Sequence, residues 1–254
     1  MSVGKGRRVS SKVDALFSET KQEKSEKYSA DRIQDLPEPV QRYFNYALPE
    51  GQPFISSLRL KHGGEFKMAP DKKWMKIKGK QYFSINPPGF VWIGKTKLFK
   101  AIDSYVGEKG NLSVYLFGLF RIVNSRGDAV NQAELLRWLG ESVWMPTNLL
   151  PGENKIWTPI DDMSAKITFS YQDIDISYTV YFNDEGQIVR MKTKRYKDDN
   201  TLVDWEGKVS HYREVNGMMV PSKIEASWLL DEGKYTYARF DVDYFEYDVP
   251  RKFQ

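Results

Sequence analysis

Three carboxylates stand where their surroundings could change their chemistry. Glu141 lies within about two helical turns of Trp138 and Trp144, and Asp103 and Asp161 belong to segments that are otherwise apolar or aromatic. A carboxyl group partly withdrawn from water beside indole rings keeps its proton to higher pH, which suits a general acid or an anchor for a polar headgroup. The same groups would serve a purely structural purpose by accepting from buried backbone or indole N–H donors, since a buried donor left unpaired costs about 1–3 kcal/mol. Histidine chemistry has little material: His62 and His211 are the only two, and neither has the spacing of a metal site. His62, beside Gly63-Gly64, is expected in a bulge, and His211 on a polar strand. There is no GxSxG nucleophile elbow. The absence of cysteine removes thiol nucleophiles, disulfides and cysteine-ligated zinc together. No cofactor and no metal are expected.

Residues 89–96, Gly-Phe-Val-Trp-Ile-Gly-Lys-Thr, satisfy the pattern of a nucleotide-binding loop. Such a loop must bend its backbone around a phosphate and lead into a helix. Phe-Val-Trp-Ile favours a strand instead, so a strand and a turn are expected. Tryptophan is the more abundant resource. Trp92, Trp138, Trp144, Trp157, Trp205 and Trp228 fall on different segments. With Leu149 and Leu150 they could wall a ligand cavity, because indoles offer rigid apolar faces with one polar edge; the same residues also fill ordinary β cores. The basic and aromatic stretch from Lys72 to Phe83 is expected to be a solvated lysine row, with Lys76, Lys78 and Lys80 on one strand face, rather than a nucleic-acid surface.

The elements that would position these groups follow from periodicity and turn chemistry. Residues 1–34 are rich in Lys, Arg, Ser and Glu around an apolar knot of Val13, Leu16 and Phe17, and are expected to form a mobile charged leader. A single domain is expected over 35–254. Val40, Tyr43, Phe44 and Ala47 make the stripe of a short amphipathic helix that Pro49-Glu50-Gly51 stops. From Phe54 to Phe120 the pattern is that of strands, broken at His62-Gly63-Gly64, Ala69-Pro70-Asp71, Asn86-Pro87-Pro88-Gly89 and Glu108-Lys109-Gly110-Asn111. The strongest helix is predicted near Asn131 to Val143, with Asn131 and Glu134 resembling a capping box and Pro146 ending it. Alternation then resumes at Ile167, with turns at Asn183–Gly186, Lys197–Asn200, Val215–Gly217 and Asp231–Gly233. The sum is a mainly β (α+β) fold. About ten strands form one strongly curved antiparallel half-barrel around an inserted helix, with a short N-terminal helix and no parallel crossovers.

At 254 residues with 41% apolar side chains the chain can bury a substantial core without staples. Thirty-eight basic against thirty-four acidic residues leave a net charge of +4, too small to demand nucleic acid as a partner. No run approaches a membrane-spanning length and the first thirty residues lack a secretory apolar core, so a cytoplasmic location is expected.

Several phrases together resemble a bacterial family of unknown function: Leu36-Pro37-Glu38-Pro39-Val40-Gln41-Arg42-Tyr43, Pro88–Trp92, Asp103–Gly107, Glu141–Thr147 with Leu149-Leu150-Pro151, Trp157–Asp161, and Gly217–Pro221 leading to Glu225–Trp228. The resemblance spans about Asp35 to Tyr247, and the phrase from Glu141 to Pro151 is its most specific part. It implies a half-barrel related in shape to bacterial lipoprotein carriers of the LolA and LolB kind, and it allows peripheral association with a membrane. Two functions are carried forward. In the first, a non-catalytic carrier holds a lipid or other apolar molecule between sheet and helix, lined by Trp92, Trp138, Glu141, Trp144, Leu149, Leu150, Trp157, Trp205 and Trp228. In the second, a cofactor-independent enzyme uses Glu141 with Asp161 or Asp103 for acid–base work on a hydrophobic substrate, which requires those groups to converge on an open pocket.

Overall fold

The computed structural model describes residues 3–21, 26–198 and 200–254, with side chains from Ser10 onward. Its helices are α1 (Val3–Ser18), α2 (Glu38–Ala47) and α3 (Asp128–Glu141). The first strands are β1 (Ser57–Phe66), β2 (Met75–Lys76), β3 (Lys78–Ser84), β4 (Gly89–Lys95), β5 (Phe99–Val106), β6 (Lys109–Leu116) and β7 (Phe120–Ser125). After α3 come β8 (Lys155–Asp161), β9 (Ser164–Tyr171), β10 (Ile174–Phe182), β11 (Ile188–Tyr196), β12 (Leu202–Val215), β13 (Met218–Leu230) and β14 (Gly233–Tyr247). These fourteen strands form one antiparallel sheet in the order β7-β6-β5-β4-β3-β1-β14-β13-β12-β11-β10-β9-β8, with β2 also pairing β1. The strand number exceeds the expected ten because the alternating stretches are cut into short hairpins.

The order explains the curvature. Helix α3 follows β7 and precedes β8, the two edges of the sheet, so it must cross from one edge to the other. It packs against β4, β5 and β6 on one arm and β10 and β11 on the other. Strands β6 and β10 are nine positions apart in the sheet, a span of roughly 43 Å if flat, while a helix with its side chains is about 10–12 Å wide. The sheet therefore wraps the helix. Gly110 on β6 permits the closest approach, since a Cβ there would lie 2.6 Å from the Val130 carbonyl oxygen.

Local chemistry places most of the elements. Helix α2 buries the predicted stripe of Val40, Tyr43, Phe44 and Ala47. The Asn216-Gly217 hairpin has both residues at positive φ, 55° and 80°, the type I′ geometry that favours this dipeptide. In the turn expected at Lys197–Asn200, Asp199 lies outside the described residues; the Asp198 carboxylate accepts from the Asn200 and Thr201 backbone N–H groups. Residues 89–95 of the nucleotide-loop pattern are strand β4. Lys76 and Lys78 are exposed, Lys80 is half-buried, and Ile77 between them is buried.

Two expectations are corrected. Helix α3 begins three residues earlier than predicted, and its N-cap is Gly127, without a side-chain cap. Asn131 is already inside the helix, where its Oδ1 accepts from the Gly110 N–H at 2.8 Å, so its polar group ties helix to sheet rather than capping. The charged leader also differs from the sequence reading in its described part. Val13 and Leu16 of α1 are buried against Tyr82 and Val91 on the convex face, with Phe17 and Phe253 packed beside them. Residues 1, 2 and 22–25 of that leader lie outside the described residues.

Candidate functional site

The groove between α3 and the sheet has two unlike ends. At one, residues 141–150 are buried without exception, and α2 closes the space with Tyr43 and Phe44. Here lie five of the residues expected to line a cavity: Trp138, Trp144, Leu149, Leu150 and Trp157. They do not border open space. The Trp138 indole donates to the Ser84 carbonyl at 2.9 Å, Trp144 to that of Pro221 at 3.1 Å, and Trp157 to that of Leu149 at 2.9 Å. Each buried N–H is satisfied by backbone, and the rings pack on Phe169, Phe83 and Phe182 in turn. These side chains are buried and closely packed, as in an ordinary core.

At the other end the N-terminal half of α3 presents Ala129, Val130 and Ala133, and small side chains leave a half-open cavity of about 560 Å³. Its walls are mostly apolar and include Trp92, Trp205 and Trp228 together with Phe240 and Ile224. Trp205 donates to the Tyr237 hydroxyl at 3.0 Å, and Trp228 stacks on the same ring. Met68, Ile122 and Lys197 at the mouth are exposed.

The inner wall carries a buried polar cluster. Arg137 on α3 donates through Nη1 to Asp103 Oδ2 on β5 at 2.5 Å and through Nε to Glu141 Oε1 at 3.0 Å. Its guanidinium also lies 5.0 Å from the ring centre of Phe90 and 5.1 Å from that of Trp92. Gln81 donates to the second Glu141 oxygen at 2.6 Å. Burial raises the Glu141 carboxyl, and Arg137 opposes the rise. One turn before Arg137, burial first and then the nearby charge of Asp103 push the Glu134 carboxyl well above the ordinary glutamate range. Asp103 Oδ1 and Glu134 Oε2 are buried oxygens without a hydrogen-bond partner. Arg195 on β11 approaches Glu134 only to 3.7 Å, and its Nε is buried without a hydrogen-bond acceptor.

Of the carboxylates singled out in sequence, Glu141 and Asp103 are thus brought together on the cavity. Asp161 is not: it is exposed at the end of β8, where it accepts from the Met163 N–H at 2.9 Å. Sequence reasoning missed Arg137, Glu134 and Arg195. The i, i+4 spacing of Arg137 and Glu141 was a usable signal, whereas Arg195 sits in a basic strand with nothing to mark it. His62 does fall at a bulge, between Lys61 and His62, and His211 is exposed on β12. The His62 ring is buried against Phe240, its Nδ1 meets the Gly63 carbonyl at 3.0 Å and its Nε2 accepts from the Trp92 indole at 2.8 Å. Both nitrogens are satisfied in the neutral form, and burial lowers the imidazole to about 4.

Among the described residues no three His, Asp or Glu side chains gather with the geometry of a metal site, and no helix is long and apolar enough to cross a membrane. No curated protein matches the chain. Among solved structures, a LolA superfamily protein from Nitrosomonas europaea is 12% identical with a TM-score of 0.44, over 82% of this chain and 91% of that one. A domain assigned to outer membrane lipoprotein sorting, from Vibrio parahaemolyticus, is 9% identical with a TM-score of 0.45, over 88% and 95% of the two chains. A DUF1329 family protein from Desulfovibrio piger is 10% identical with a TM-score of 0.43, over 77% and 87%. Residues 26–240 match the family of unknown function DUF6544, and the chain belongs to that family.

Proposed function

We propose that this protein binds a lipid or similar single-chain amphiphile, with the chain in the cavity between α3 and the sheet and the polar end toward Arg195. The observation that carries the reading is the cavity itself. Its volume of about 560 Å³ falls in the roughly 300–1,000 Å³ range of small-molecule sites, and its mostly apolar lining with a few convergent polar groups is the pattern of such sites. The cluster supports a headgroup that accepts hydrogen bonds or carries negative charge. Arg137 is already shared between Asp103 and Glu141, whereas Arg195 approaches Glu134 only to 3.7 Å and its buried Nε has no acceptor. A carboxylate bound at Arg195 would supply the missing acceptor at Nε.

Native mass spectrometry of gently purified protein tests the reading, with lipid analysis of whatever dissociates. A retained amphiphile that a bulky residue at Ala133 displaces is expected. Absence of any ligand, together with no uptake of added palmitate or hexadecanol, would sink it. If both bind equally, the cavity reading stands and the Arg195 headgroup contact is wrong. A palmitate preference of about tenfold that Arg195→Met abolishes supports the contact.

One observation favours a second reading, an acid–base enzyme: Glu134, whose carboxyl burial pushes well above the ordinary glutamate range, lies on the wall of an open cavity, where a general acid is useful. Glu141 is less suited, being fixed by Arg137 and Gln81. Incubation of the isolated ligand with wild type and Glu134→Gln separates the two. Chemical conversion by wild type alone supports an enzyme, and recovery of unaltered ligand from both supports a carrier.

A further inference from the structure

The β6–β7 hairpin turn holds its residues in a way that folding does not explain. Phe117 and Gly118 both have positive φ, 49° and 68°, and the Leu119 N–H closes the turn on the Leu116 carbonyl at 2.9 Å. Such turns favour Asn-Gly, because a bulky side chain at positive φ is strained. Phe117 nevertheless occupies the strained position with 62% of its surface exposed, and Phe120 beside it is 68% exposed. Neither ring is placed to fill the core.

The neighbouring surface extends this apolar tip. The Phe117 N–H donates to the Leu98 carbonyl at 2.7 Å, joining the β4–β5 turn to the hairpin, and Leu98 is also exposed. Met68 and Ile122, both exposed, continue the patch to the cavity mouth, which they line. The surrounding charge is predominantly basic. Residues 95–100 contain lysines and no acid, residues 117–127 contain Arg121 and Arg126 and no acid, and residues 67–73 contain three lysines against Asp71.

We propose that this tip docks on a lipid bilayer bearing anionic headgroups. Phe117, Phe120 and Leu98 enter the interfacial layer while Lys95, Lys97 and Arg121 meet the negative surface. Aromatic and aliphatic side chains gain by leaving water at the headgroup boundary, and juxtaposed basic residues add attraction that salt screens. The strain at Phe117 is then a cost carried for binding. Docking sets the cavity mouth against the bilayer, so an apolar ligand can pass between them without crossing water.

The test is co-sedimentation of the full chain with vesicles of phosphatidylcholine alone and of phosphatidylcholine mixed with phosphatidylglycerol. Preferential binding to the anionic vesicles, weakened by salt, is expected. The double variant Phe117→Asn, Phe120→Ser lowers partitioning by at least about tenfold while its thermal midpoint stays the same or rises, because Asn suits the turn. Lys95→Glu with Lys97→Glu lowers it by a similar factor. The proposal is overturned by no sedimentation with anionic vesicles, by equal sedimentation of wild type and the aromatic double variant, or by a patch that captures only a protein partner. Ligand content measured on the same samples keeps this outcome separate from that of the cavity reading, since either property can be lost alone.

Discussion

From Ser142 to Leu150 the groove is filled by buried side chains, whereas earlier in the chain, on α3, Ala129 and Ala133 face the sheet across open space. Both regions are built on one helix and its continuation, inside one bowl. In the filled end every indole N–H finds a backbone carbonyl and the aromatic rings interlock. In the open end the polar groups are charged and clustered, and Arg195 Nε is left without an acceptor. The difference teaches where stability resides and where open space is kept. A densely packed end secures the helix, and that security allows the other end to keep a cavity and a buried ionic cluster that would not stabilise a fold by themselves.

Substitutions at the two ends should therefore diverge. Trp144→Ala in the filled end is expected to lower unfolding free energy by about 3–5 kcal/mol in urea titration, without changing the ligand carried per folded molecule. Loss of ligand with little loss of stability would reverse the assignment of the two ends. Arg137→Met strands Asp103 and Glu141 as buried charges, for an expected loss of about 3–5 kcal/mol. Removing all three charges together, with Asp103→Asn and Glu141→Gln added, should restore most of it. A triple variant as unstable as the single one would show that Arg137 acts through packing on Phe90 and Trp92.

The histidine sharpens the comparison through pH. Neutral His62 is held at about 4 in the fold, against an ordinary 6.5, so the unfolded chain takes up a proton first as pH falls. The stability from the neutral ring is complete above about 6.5 and is lost as pH drops toward 4, by about 3 kcal/mol in all. His62→Phe should flatten that part of a plot of unfolding free energy against pH. An unchanged slope would mean that the imidazole is not held neutral. Ala133→Phe has the smallest expected effect on stability, under about 1.5 kcal/mol because space is available, yet it should abolish ligand retention. If ligand remains, the chain lies elsewhere.

Legibility followed the range of the interactions. The α2 stripe, the Asn216-Gly217 hairpin and the strand character of residues 89–95 depend on neighbours in sequence, and the structure has them where periodicity and turn chemistry put them. The start of α3 was misplaced because Asn131 finds its partner in Gly110, on another element. At the site, Trp92, Trp205, Trp228 and Glu141 stood out in the sequence as types suited to a cavity wall and Asp103 as a carboxylate suited to acid–base work, and all five border the cavity. Trp138, Trp144 and Trp157 have the same local signature and a different fate.

By itself the sequence determined a single kind of architecture: alternating strands joined by tight turns, one interrupting helix, and enough aromatic volume for a large core. Tertiary structure decided which part of that volume fills the bowl and which borders empty space. It also decided that Arg137 ties Asp103 to Glu141 and that Arg195 faces the buried carboxyl of Glu134. The physical reason is that a cavity is a difference between the curvature of the sheet and the summed size of side chains from distant segments. That difference exists only once β6 and β10 have been brought onto the same helix.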